Sequence, residues 1–438
     1  MNGVQSAGTE TKPRMTRIDR KMTILGSAIY VAEYFGRYDL AAAKVAMLDA
    51  FVGDVKAMLG LALTLMAISY GVGQIVMGVV GDHVPPRFVV FAGLVGAGIA
   101  NLAVGFATNL VVICVAWFFN GVCKSMIWPS LLRQMTCDMS EHGFQKGIVW
   151  VSIASNLGTI LVYLAVVPLS LLLFSWRLAF WFCGLSEIAV GAAWVLSVRT
   201  IPSLKTLNSA LRDGSEKPTA ASDETAPSPE TETAAEKKPS RLRILLLAAI
   251  PLLYLVVVCH GLLRDGVTSW MPELLKDTYD LGNIASIMSS AILPVFSTVC
   301  VILAGMLYMK LKNEITTSAI FWAIVLVSLG CLVFTIGKTP LLTVILLAFA
   351  MSGIQGVNHI LTTRVPHHFA YAGMVSTVAG LMNSATYIGA AISGYGIAVF
   401  SDAHGWRATI IAWLIVAAVG TGALILCFSR WNKFSKNH

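Results

Sequence analysis

Tyr30-Val31-Ala32-Glu33-Tyr34-Phe35-Gly36-Arg37-Tyr38-Asp39 lies midway along the first long apolar run of this chain, where an otherwise greasy segment carries an acid, a base and a second acid. An ionised side chain at bilayer depth costs about 2.5–3.5 kcal/mol on insertion scales, so such residues face a cavity or one another and mark a pathway. The stretch reads as part of a transport helix if the run around it spans a membrane.

Working outward, the composition supports that condition. Of 438 residues, 56% are hydrophobic and only 12% charged, and the mean hydropathy of +0.75 lies far outside soluble usage. Apolar runs of about 20 residues, enough to cross a ~30 Å hydrocarbon core, recur along almost the whole length. They predict helices over 22–48, 57–81, 88–108, 110–134, 146–171, 176–197, 243–271, 284–309, 316–336, 340–363, 372–400 and 406–429. The expected fold is an all-α membrane protein of twelve transmembrane helices in two pseudo-symmetric six-helix halves. No soluble domain is left over. The basic lead (Lys12, Arg14, Arg17, Arg20, Lys21) precedes a run too long for a signal-peptide core, and is read as the flank of a first spanning helix.

The net charge of +8 does not point to nucleic acid, because the Lys and Arg residues alternate between loops in the positive-inside pattern, which places both termini in the cytoplasm of a cell-membrane protein. Residues 199–242 are rich in Ser, Thr, Pro, Ala, Glu and Lys, with too little apolar surface to fold, and read as a disordered cytoplasmic linker. The linker separates an N-terminal half at 22–198 from a C-terminal half at 243–429, with a cytoplasmic lead at 1–21 and a tail at 430–438. Eight cysteines lack metal spacing, and no phosphate-cradling Gly-Lys-Ser/Thr loop or nucleophile elbow occurs. The expectation is a monomeric non-enzyme with no cofactor and no metal.

The halves look like duplicates. Arg37 and Arg264 are offset by 227, Trp176-Arg177 and Trp406-Arg407 by 230, and Gly147 and Gly373 by 226. Two repeats with a site at their interface near mid-membrane are what an alternating-access carrier requires.

Gly78-Val79-Val80-Gly81-Asp82-His83-Val84-Pro85-Pro86-Arg87 resembles the loop between helices two and three of the major facilitator superfamily. Within it, Tyr30-x-x-x-Tyr34-x-x-Arg37, Trp128-Pro129 with Arg133, and Leu263-Arg264-Asp265-Gly266 before Trp270 and Pro272 resemble the organophosphate:phosphate antiporters. That resemblance implies that Arg37 and Arg264 together hold the phosphate of a small anionic substrate, with Tyr34 beside them. The chemistry agrees, since a guanidinium is a permanent charge whose planar fork of donors matches phosphate or carboxylate oxygens. The chain also departs from the group: Gln74 stands where a Lys is common, Ser155 where a His is common, and Ser289–Phe296 offers no acid.

Against these departures stand two further charges, Lys124 and Glu33. Lys124, two and a half turns inside Arg133, is a candidate substitute for the missing cation, and Asn383 with Tyr387, one turn apart, are candidates for the cavity wall. Glu33 and Asp265 are candidate ion-pair partners of the two arginines. Glu33 is either a permanent structural partner of Arg37 or a proton-exchanging group. Asp82, Arg87 and Arg133 are candidates for a cytoplasmic gate. The sequence therefore leads to a secondary carrier of an organic anion, exchanging organophosphate for phosphate. The alternatives are proton-coupled symport of a carboxylate such as a sugar acid, and a transporter-like membrane sensor.

Overall fold

The computed structural model describes residues 15–80, 84–173, 175–198, 245–246, 248–372 and 374–435. The expected linker at 199–242 lies outside the described residues, as do positions 1–14. What is described is helical: α1 (Arg17–Met47), α2 (Val55–Val80), α3 (Pro86–Phe106), α4 (Leu110–Asp138), α5 (Glu141–Leu161 continued by Val162–Val166 and Val167–Leu172) and α6 (Arg177–Val198) form one half. The second half is α7 (Ile250–Tyr279), α8 (Asn283–Leu311), α9 (Glu314–Thr335), α10 (Pro340–Thr363), α11 (375–404) and α12 (406–435). Ten described helical segments are long and apolar enough to cross a membrane; one of them divides at Gly405, and with the more charged α1 the described helices number twelve.

The joints follow residue chemistry. α4 breaks at Met126 just ahead of Pro129, α5 widens into a π turn at Val162–Val166 before Pro168, and α8 breaks at Ser290 and Ala291 before Pro294. Proline lacks the amide its helix needs and clashes with the preceding turn, so the ladder bends or widens there. Gly405, at φ +78°, supplies the left-handed turn that separates α11 from α12. At the start of α1, Thr16 and Asp19 cap one another, and Asp19 also accepts from the Ser140 amide (2.9 Å) and hydroxyl (2.8 Å), fastening the start of α5 to that of α1.

Within each half, small residues let helices approach closely. A Cβ at Gly98 of α3 would lie 2.6 Å from the Gly184 carbonyl of α6, and one at Gly389 of α11 would lie 2.1 Å from the Val258 carbonyl of α7. The indole of Trp194 donates to the Arg87 carbonyl (3.1 Å), pinning the end of α6 to the start of α3. Trp431 does the same for α12 and α9 by donating to Glu314 (3.1 Å).

Between the halves α2 packs on α11, α5 on α8 and α1 on α7. The apolar cores show where this contact is tight. At the end of the bundle away from the two termini, one core combines N-terminal residues such as Trp117, Phe180 and Tyr163 with Ile287 and Ala291 of α8. At the end that carries the termini, the core around Met22, Leu131 and Trp194 contains first-half residues alone. Among the described residues, the apolar core shared by the two halves lies at the far end.

Candidate substrate site

At the level where the halves meet, a cavity of about 60 Å³ is lined by Arg37, Tyr38 and Tyr70 from the first half and Asp265, Tyr387 and Ser393 from the second. Tyr387 joins the two arginines. Its hydroxyl accepts from Arg37 Nη2 (3.3 Å), and its ring centroid lies 6.0 Å from the Arg264 guanidinium carbon. Arg37 also sits over the Tyr70 ring, 4.6 Å from the centroid, with Tyr34 5.7 Å away. Aromatic faces hold a guanidinium by cation–π attraction while leaving its in-plane donors available.

Each arginine has a carboxylate. Arg37 Nη1 reaches Glu33 Oε1 one turn earlier on α1 (3.3 Å), while Arg264 makes a two-pronged pair with its neighbour Asp265, Nε to Oδ1 and Nη2 to Oδ2, both at 3.0 Å. Asn383 does not reach either arginine. Its amide donates to Gln74 Oε1 (2.7 Å), and Gln74 donates to the Tyr70 hydroxyl (2.8 Å), so Asn383 and Gln74 bridge α11 and α2 on the termini side of the cavity.

Lys124 lies elsewhere. Its ammonium, 1% exposed, donates to Glu187 Oε1 of α6 and to the Glu33 carbonyl oxygen, each at 2.6 Å, while Asn101 of α3 donates to Glu187 Oε2 (2.8 Å). This places it behind α1, within the first half and off the cavity wall. The reason is geometric: Gly36 has no side chain, and the space a Cβ would fill there is taken by Asn101 and Glu187. Asp39 is also fully buried on α1, its Oδ1 capping the Leu40 amide (2.7 Å).

The expected gate residues lie at the termini end. Arg133 donates to the Val84 carbonyl (3.3 Å), Arg87 covers the Phe88 ring, and Asp82 lies outside the described residues. Among the described residues, ion pairs join the halves at the opposite end. Lys44 of α1 is hydrogen-bonded to Glu273 of α7 with both side chains 1% exposed, and its ammonium lies over the Trp270 ring. Lys56 of α2 reaches Glu273 (3.2 Å) and Asp402 (2.7 Å), and Lys276 reaches Asp49 (3.4 Å). Glu273 falls outside the helix expected at 243–271 because α7 runs on through Pro272 to Tyr279. Glu187 was signalled only as an acid inside the sixth apolar run.

A family model described as Major Facilitator Superfamily matches residues 18–394. The chain belongs to the Major Facilitator Superfamily. The resemblance to the organophosphate:phosphate antiporter group holds along its length. A "Probable hexose phosphate transport protein" of Chlamydia pneumoniae is 24% identical, covering 93% of this chain and 90% of that one. A "Membrane sensor protein UhpC" of Salmonella typhimurium is 26% identical over 92% and 88%. The fold matches the crystal structure of a bacterial homolog of the human lysosomal transporter Spinster in an inward-facing, occupied conformation, with a TM-score of 0.75 at 13% identity, 96% coverage of this chain and 98% of that one. This major facilitator is a multi-pass membrane protein whose family and fold are those of transporters rather than enzymes.

Proposed function

We propose that the protein is a secondary carrier of a small organophosphate, of the hexose phosphate class, exchanged for phosphate by rocking of the two halves about the cavity. The observation that carries this is the meeting of one guanidinium from each half at Tyr387. An anion bridging Arg37 and Arg264 would draw the halves together, so occupancy and closure are one event. The names of the full-length relatives supply the substrate class.

The cavity of about 60 Å³ is well below the roughly 300–1,000 Å³ of ligand pockets, so the halves must part for a sugar phosphate to enter. With the Lys44–Glu273 end closed, access is from the end carrying the termini, which the Lys/Arg distribution assigns to the cytoplasm. Gradients supply the energy. Reconstitution into liposomes loaded with phosphate tests the reading: labelled glucose 6-phosphate accumulates and internal phosphate leaves. Saturable binding of glucose 6-phosphate without movement would instead make the protein a sensor, as one relative is named.

A further inference from the structure

Glu33 is buried beside Arg37, the arginine to which the substrate reading assigns the anion. Among the described residues Arg37 is the only cation within 4 Å of the Glu33 carboxylate. Glu33 is 4% exposed, and its second oxygen, Oε2, has no hydrogen-bond partner among the described residues. Lys124 is near but committed, because its ammonium holds Glu187 Oε1 and the Glu33 carbonyl rather than the Glu33 carboxylate. Moving Lys124 to the carboxylate would strand Glu187, which is 0% exposed. The other groups around Glu33 offer no second cation: Tyr30 and Tyr34 on α1, Tyr70 on α2, Asn101 on α3, Glu187 on α6 and Tyr387 on α11. From α5, Gly158 packs on the Tyr34 turn without charge. Asp39, 0% exposed and with no cation within 4 Å among the described residues, adds a third buried acid to the two that Arg37 and Lys124 neutralise.

Glu33 engages Arg37 through Nη1 alone, so an anion arriving at the remaining donors shares the one positive charge with the Glu33 carboxylate. A buried carboxylate that loses its only counter-ion takes a proton rather than remain ionised in a low-dielectric site. We propose that anion binding at Arg37 is linked to protonation of Glu33, so that this chain carries one proton with each anion.

The second arginine does not impose this linkage. The Asp265 side chain is 23% exposed and lines the cavity, so water can take over when Arg264 turns to the substrate. The inference rests on the anion reading of Arg37 and adds the coupling ion. In anion exchange the proton travels both ways and cancels; in net uptake it contributes the driving force.

The test is calorimetry of glucose 6-phosphate binding to the purified full chain in buffers of different ionisation enthalpy. At about pH 8 a phosphate monoester, with a second pKa of about 6, is already dianionic and contributes no proton of its own. The wild type is expected to take up about one proton per anion, with affinity falling by up to about tenfold per unit rise in pH, as one-proton linkage requires. Glu33→Gln should bind more tightly at that pH, with no proton uptake and a flat pH profile, while Glu33→Asp should keep the linkage. Binding by the wild type without proton uptake, or uptake persisting in Glu33→Gln, overturns the inference and leaves the carrier reading standing. If neither glucose 6-phosphate nor inorganic phosphate binds, the anion reading of Arg37 fails and the linkage fails with it.

Discussion

Arg37 and Arg264 occupy matching places in the two halves, yet their surroundings differ in kind. Behind Arg37 lies a buried polar scaffold in which Lys124, Glu187 and Asn101 tie α4, α6 and α3 to the back of α1. Arg264 is backed by packing: its helix carries Val257, Leu263, Val267 and Trp270 into an apolar core, and one turn earlier His260 is fully buried. The two halves thus carry an arginine at corresponding places with different support behind it. Beyond its own carboxylate partner, Arg37 is backed by a buried polar network and Arg264 by apolar packing.

The largest expected effect breaks the polar scaffold. Lys124→Ala leaves Glu187 charged or forces it to protonate in a site 0% exposed, and removing one partner of a buried pair costs about 3–5 kcal/mol. Thermal unfolding in detergent should show a large loss, and the double variant Lys124→Met/Glu187→Gln should recover much of it. Recovery of stability together with retained glucose 6-phosphate binding would fix Lys124 as scaffold; loss of binding in a stable double variant would return it to the substrate site.

Next comes the far-end lock. Glu273→Gln weakens its bonds to both Lys44 and Lys56, and losing a charged hydrogen-bond partner is worth about 1.5–3 kcal/mol. Disulfide trapping between cysteines placed at Asp49 and Lys276, which face each other across the halves, should fall roughly tenfold or more as the far end opens more often. Unchanged trapping would show that apolar packing alone holds that end shut.

The smallest effect is expected at the neutral bridge. Asn383→Ala removes one uncharged bond to Gln74, worth about 0.5–1.5 kcal/mol. Its signature is a severalfold faster exchange of glucose 6-phosphate on the termini side with little change in affinity. A large affinity loss would mean that Asn383 touches the substrate after all.

The twelve helices were legible because each must present about 20 apolar residues to lipid, and the arginine pair was legible because charge in such runs is rare. Lys124 was legible as a deep cation but not in its role. Which side of α4 it takes depends on Gly36 leaving room for Glu187, a relation between three helices that spacing along one chain does not encode. Glu273 was hidden because Pro272 reads as a helix end, although α7 continues through it to Tyr279. The ion pairs between the halves at the far end were therefore missed, while at the termini end Arg87 lies over the Phe88 ring and Arg133 donates to the Val84 carbonyl.

The central claim is that one anion is held by an arginine from each half, and phosphate counterflow in proteoliposomes tests it most directly. Wild-type protein should exchange labelled phosphate for internal glucose 6-phosphate. Arg37→Lys and Arg264→Lys, which keep the charge but lose the planar fork, should each lower that exchange about tenfold to a hundredfold, in line with about 1.5–3 kcal/mol per charged hydrogen bond. Exchange at the wild-type rate in both lysine variants would contradict the account.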